Sequence, residues 1–153
     1  MYDPGPSPES DVLATINEVP RAFFRLVAVA DAIFKDLGVG PPERGVLREL
    51  FVEGQDTAPS LARRKPVSRQ AMQTILDGLA EKGLVRIEEN PRHKRSKLYC
   101  LSQAGIDLCV ELQRRELAAI RDLIGEAKPA DFAAAATALR MLNQLLAKRL
   151  NVG

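Results

Sequence analysis

The chain has no tryptophan, two tyrosines and a single histidine in 153 residues. One histidine, no glycine-rich phosphate loop and no nucleophile motif leave no acid–base constellation, so the sequence does not read as an enzyme. Only two cysteines are present, Cys100 and Cys109. Their spacing fits neither a zinc-ligand pattern nor a disulfide framework, and a reducing cytoplasm is the default compartment. Both thiols read as small core residues, one on a strand and one on a helix. No apolar run approaches the ~20 residues that cross a bilayer. Met1 to Asp11 also lacks the basic-then-apolar order of a signal peptide. No membrane partner, metal or cofactor is expected.

What the chain does have is an uneven charge. It nets only +2 overall, yet Arg63 to Lys97 holds ten Lys/Arg against four acids, which leaves the remainder net acidic. A basic segment in an otherwise acidic protein is the footprint of a surface that meets a polyanion. Its densest part is NPRHKRSK, Asn90 to Lys97. A solvated charge run is the plainer explanation for any such segment taken alone.

The periodicity predicts a mainly α fold with a small β hairpin. Residues 1–10 hold three prolines and read as a flexible tail. Residues 11–38 carry apolar positions at helical spacing (Ile16, Val19, Phe23, Leu26, Val27, Ala30, Ile33, Phe34, Leu37). Pro20 either kinks this helix or starts its main part. Gly38 to Gly40 ends it, and Pro41 and Pro42 suit the first turn of a second helix with Val46, Leu50 and Phe51 inward. Phe23, Phe24, Phe34 and Phe51 read as core. Thr57 or Asp56 can cap a short helix holding Leu61 and Ala62, which Pro66 interrupts. Ser68 can cap the next, with Met72, Ile75, Leu76 and Leu79 inward and Gly83 at its C′ position. LVRIEE and KLYCL are strand-like runs joined by the basic turn. Ser102 caps a long helix bearing Leu108, Leu112, Ile120 and Leu123, and Pro129 starts a last one bearing Phe132, Leu139, Leu142, Leu146 and Leu150.

Residues 39–101 therefore read as a winged helix-turn-helix domain. The start of its recognition helix offers Ser68, Arg69, Gln70, Gln73 and Thr74 to base edges, since Arg pairs with guanine and Gln with adenine. The wing offers Arg92, His93, Lys94, Arg95 and Lys97 to phosphates or a minor groove. His93 has no second histidine or cysteine pair to share a metal, so it reads as a solvated turn residue with phosphate contact as its minority role. Arg63 and Arg64 could hold phosphates or simply cover a helix face. The broad apolar stripes of residues 11–38 and 102–153 exceed what one subunit can cover, which predicts dimerisation through both. A winged-helix module that binds protein without sequence-specific DNA contact is the alternative, and the charged wing argues against it.

The segments VLREL (46–50), SLARR (60–64), VSRQAMQTILDGLAEKGLV (67–85) and NPRHKRSKLYCLSQAG (90–105) resemble the MarR-type bacterial transcription regulators. The resemblance runs from about Ile16 to the C terminus. Arg95 stands at the family's wing arginine, Leu101 and Gly105 match, and Ser102 replaces a threonine. His93 replaces the usual wing aspartate, and Lys65 and Pro66 replace an apolar residue and a glycine. The resemblance implies a homodimer with interlocked terminal helices, binding a pseudopalindromic operator in double-stranded DNA. It also implies a repressor that releases DNA when a small-molecule effector binds between the dimer and DNA-binding regions.

Overall fold

A computed structural model describes residues 5–65, 67–125 and 128–150. The elements run α1 (Pro8–Phe34), α2 (Pro41–Glu53), β1 (Asp56–Thr57), α3 (Ala58–Arg64), α4 (Arg69–Glu81), β2 (Val85–Glu88), β3 (Leu98–Leu101), α5 (Gln103–Leu123) and α6 (Pro129–Leu150). The chain divides into two compact units after Glu116. No described helix is long and apolar enough to cross a membrane.

Helix α1 starts earlier than the sequence suggests. Ser7 and Ser10 form a reciprocal capping box, with Ser10 N donating to Ser7 Oγ at 3.2 Å and Ser7 N to Ser10 Oγ at 2.9 Å. These bonds satisfy end groups that would otherwise lack partners, so residues 8–10 of the expected tail are helical. The helix passes through Pro20 without ending and stops at Phe34, before the positive-φ turn at Gly38. Glu43 ties α2 down twice: it accepts from Gly40 N at 2.9 Å and from Lys82 Nζ at 2.8 Å. Burial alone would raise the Glu43 pKa, but the Lys82 and Gly40 hydrogen bonds bring it below the usual value.

Thr57 caps α3 and Ser68 caps α4, each side chain accepting from a backbone N–H three residues on. Gly83, at φ +70, follows the end of α4 and turns the chain into β2. Pro66, read as the interruption between α3 and α4, lies outside the described residues. The hairpin strands pair antiparallel, with Val85 opposite Leu101 and Ile87 opposite Tyr99. Sequence reasoning missed β1. Asp56 and Thr57 pair with Tyr99 and Leu98, giving the order β1-β3-β2, because two residues are too few to show a period.

The core lies in the first unit. Leu47, Leu61, Met72, Leu76 and Leu79 are wholly buried, with Val39, Val46, Leu50, Val85, Tyr99 and Cys109 around them. Each large apolar side chain sealed there stabilises the fold by about 1.5–3 kcal/mol. Phe51, expected inward, is partly exposed, and Leu47 takes the deeper place on α2. Of the other phenylalanines, Phe34 is buried, whereas Phe23 and Phe24 stand open on α1 and contact each other edge-on. Arg115 clamps the end of α1 to α5, donating to Ile33 O at 3.0 Å and to both Asp36 oxygens at 2.6 and 2.9 Å. In the second unit, α6 has no buried residue.

Ser102 joins wing and helix: its Oγ donates to Gly83 O at 2.6 Å and accepts from Gly105 N at 3.0 Å. A Cβ on Gly105 would sit 2.1 Å from the Leu84 carbonyl oxygen, so this position must be glycine. Alanine normally favours a helix interior by ~1 kcal/mol over glycine. Gly105→Ala is nonetheless expected to destabilise the fold by about 1–3 kcal/mol, read as a lower urea midpoint.

The Arg115 clamp carries a pH signature. Hydrogen bonds from Arg114 and then Arg115 hold the Glu111 pKa down to about 2, and the hydrogen bond from Arg115 lowers that of Asp36. Carboxyls held low in the folded state contribute stability above their ordinary values and lose it as pH falls through the folded ones. The urea midpoint should therefore drop between about pH 5 and pH 2. Arg115→Met should make that drop shallower.

Candidate nucleic-acid interface

The candidate interface is built on α4 and the turn between β2 and β3. The inner face of α4 is locked into the core by Met72, Leu76 and Leu79, so its opposite face is presented at a fixed angle. Arg69 opens the helix, exposed and unpaired with any carboxylate among the described residues. Gln70 is exposed too, and its carbonyl accepts from Thr74 Oγ1 at 3.1 Å. Ser68 spends its hydroxyl oxygen on the helix cap, accepting from Ala71 N at 3.1 Å. Gln73 is committed elsewhere: its Nε2 donates to Asp77 Oδ1 and to Tyr99 Oη, each at 2.8 Å.

The wing turn hangs on Asn90, a residue that sequence reasoning passed over. Its side-chain oxygen accepts from Arg92 N at 3.0 Å and its carbonyl from His93 N at 3.3 Å, while the residue is buried. The Asn-Pro step was the available signal, since Asn folds a turn by bonding the backbone two residues on. Ser96 N closes the turn onto His93 O at 3.0 Å. Around this frame Arg92, His93, Lys94 and Arg95 are exposed, and no carboxylate pairs with them among the described residues. Lys97 differs, being ion-paired with Glu89.

Neighbouring cations are also neutralised. Arg64 pairs with Asp56 and Glu49, and Lys65 with Glu49 at 3.4 Å. Arg86 sits 3.5 Å from Glu88. Surface pairs such as Arg86–Glu88 add about 0–1 kcal/mol each, and all of these pairs subtract charge from the basic segment. Among the described residues of that segment, what remains without a carboxylate partner is Arg63 at the end of α3, the start of α4 and the wing tip.

A second feature is a cavity of about 460 Å³ lined by α1, α2 and α5. Phe34, Phe51, Val52 and Leu112 supply apolar wall, and Arg44, Arg48 and Glu116 supply charge. Arg44 lies over the Phe34 ring at 5.1 Å and pairs with Asp31 at 2.8 Å; Arg48 pairs with Glu116. Cys109 reaches the cavity, but burial pushes its thiol up, as it does that of Cys100. Both stay protonated near neutrality, which disfavours thiolate chemistry. No cluster of metal-ligating side chains occurs among the described residues.

Residues 37–96 match the family model described as MarR family. An uncharacterized protein of Mycobacterium tuberculosis is 32% identical over 94 residues, which is 61% of this chain and 66% of the relative. The chain thus spans just under two thirds of the length of that relative. Among solved structures, a MarR family transcription regulator superposes with a TM-score of 0.80 at 23% identity, over 95% of this chain and 97% of the other. A mutant MarR from E. coli complexed with operator DNA gives 0.75 at 17% identity, over 90% and 99%. An organohalide-sensing transcriptional regulator in its 2,4-dichlorophenol-bound form gives 0.73 at 17% identity, over 94% and 88%. Over residues 37–96, which span α2 to the wing, the chain thus matches the MarR family, and its fold is the winged helix-turn-helix of the solved transcription regulators on which it superposes.

Proposed function

We propose that this chain is a sequence-specific, ligand-responsive transcriptional repressor that binds a pseudopalindromic operator as a homodimer. The observation that carries the DNA-binding part is the selective lack of counter-charge. Arg69, Arg92, Lys94 and Arg95 have no acidic partner among the described residues, while Arg64, Lys65, Arg86 and Lys97 nearby do. A cation left bare on a rigid helix start or wing is free to release counterions from a phosphate backbone. Arg69 would read a base edge in the major groove, with Gln70 and Thr74 beside it. The wing residues Arg92, His93, Lys94 and Arg95 would hold phosphates or the flanking minor groove. Ser68 and Lys97 would act indirectly, through the helix cap and the Glu89 pair.

Dimerisation is supported by apolar surface that one protomer leaves open. On α1 this includes Val12, Leu13, Phe23, Phe24 and Leu26, and on α6 Phe132, Met141, Leu145, Leu146 and Leu150. Patches of this extent normally mark an interface. The cavity beside Arg44 and Arg48 is the candidate effector site; the organohalide-sensing neighbour was solved with a small phenol bound. An occupant between α1, α2 and α5 would shift α2 against α1 and so alter how two recognition helices are spaced.

Enrichment from a random duplex pool, followed by binding across a salt series, tests the DNA reading. Recovery of no motif, with only protein partners captured, would leave a protein-interaction module. Arg69→Ala should lose about 1–3 kcal/mol of preference at one base position per half-site, with a much smaller loss on random DNA. Arg95→Ala should weaken binding to all sequences and reduce the salt slope of log affinity by about 0.9. Light scattering should report about twice 16.8 kDa. Phe24→Glu, at a side chain exposed in the protomer, should shift that mass towards the monomer without unfolding the chain.

A further inference from the structure

Gln73 sits on the exposed face of the recognition helix, yet its amide is already engaged. Nε2 lies 2.8 Å from Asp77 Oδ1, one turn further along α4, and 2.8 Å from Tyr99 Oη on β3. An amide nitrogen carries two N–H donors and no acceptor, so these two contacts use both donors. Asp77 fixes the orientation: an ionised carboxylate only accepts, and a turned-over amide would set Oε1 against Oδ1. Tyr99 is 5% exposed, so the core holds its ring and the hydroxyl cannot follow Gln73 outward.

Bidentate recognition of adenine needs one amide N–H for N7 and the amide oxygen for the N6 amine. With both donors held, Gln73 offers a base only its Oε1. A lone acceptor suits the exocyclic amine of adenine or of cytosine and does not separate them. We propose that Tyr99 and Asp77 are specificity-determining positioning residues that hold Gln73 as an acceptor, so that it reads an amine-bearing base where a free glutamine would read adenine. Tyr99 lies on a wing strand, outside the recognition helix. The wing sheet thereby sets part of the code that α4 reads. This inference rests on the proposed DNA reading by α4.

The test is enrichment from a random duplex pool with the full chain as wild type, Tyr99→Phe, Asp77→Ala and Gln73→Ala. Tyr99→Phe keeps the buried ring and removes only the hydroxyl. Asp77→Ala removes the other acceptor from an exposed helix position, so it frees a donor even where the first variant folds poorly. The wild-type motif should contain one position per half-site where A and C are accepted within about twofold of each other and G and T are rejected. Either donor-freeing variant should raise A over C there by about tenfold, while other positions stay unchanged. Gln73→Ala should erase the preference at that position alone. An unchanged A-to-C ratio in both donor-freeing variants overturns the inference while leaving DNA reading intact. Failure of the wild type to enrich any motif would overturn the reading by α4 itself, and this inference with it.

Discussion

The burial of one face of α4 is the constraint from which the rest of the site follows. Met72, Leu76 and Leu79 are wholly enclosed together with Leu47 of α2 and Leu61 of α3. Interiors packed at this density hold one arrangement and resist sliding. A helix so fixed on its inner side presents its outer side at a set angle, with Ser68 defining where it begins and Gly83 where it stops. Arg69 and Gln73 owe their placement to leucines that never meet solvent.

Charge around that helix is arranged by subtraction. The stretch from Arg63 to Lys97 is strongly basic in sequence, but much of its charge is paired with Glu49, Asp56, Glu88 or Glu89 in the fold. The Arg86 and Lys97 pairs are exposed and screened, so they contribute little to stability, while Glu49 and Asp56 are half-buried. The consequence of all these pairs is spatial: besides Arg63 on α3, the cations of this stretch left without a carboxylate partner among the described residues lie at the first turn of α4 and the wing tip. A focused patch orients a polyanion better than a diffuse one. Asn90, buried beneath the tip, keeps the wing from collapsing by satisfying two backbone donors.

Two features of the chain point beyond the isolated protomer. Apolar side chains on α1 and on α6 are exposed in the protomer, and a second copy is the proposed cover. The cavity among α1, α2 and α5 is bordered by Arg44–Asp31 and Arg48–Glu116, pairs that link the helix leading into the winged domain to its neighbours. A molecule that competes for either arginine would act on the joint between these helices.

The linear order of residues was enough for the long elements and their ends. Helical periodicity marked the inward residues of α4, the hydroxyls of Thr57 and Ser68 announced the caps, and Gly83 announced a stop, because these signals are local and repeat over several residues. The start of α1 at Ser7 was hidden by the neighbouring prolines. The two-residue strand β1 was hidden by its length. The basic wing was legible as charge, yet which of its cations stay bare was not, since Glu89 and Glu49 find their partners only across the fold. Gln73 shows the same division most clearly. Its type and its place on an exposed helix face were written in the sequence. That its donors are taken by Asp77 and Tyr99 depended on β3 lying against α4, a contact between residues 26 positions apart that no local pattern encodes.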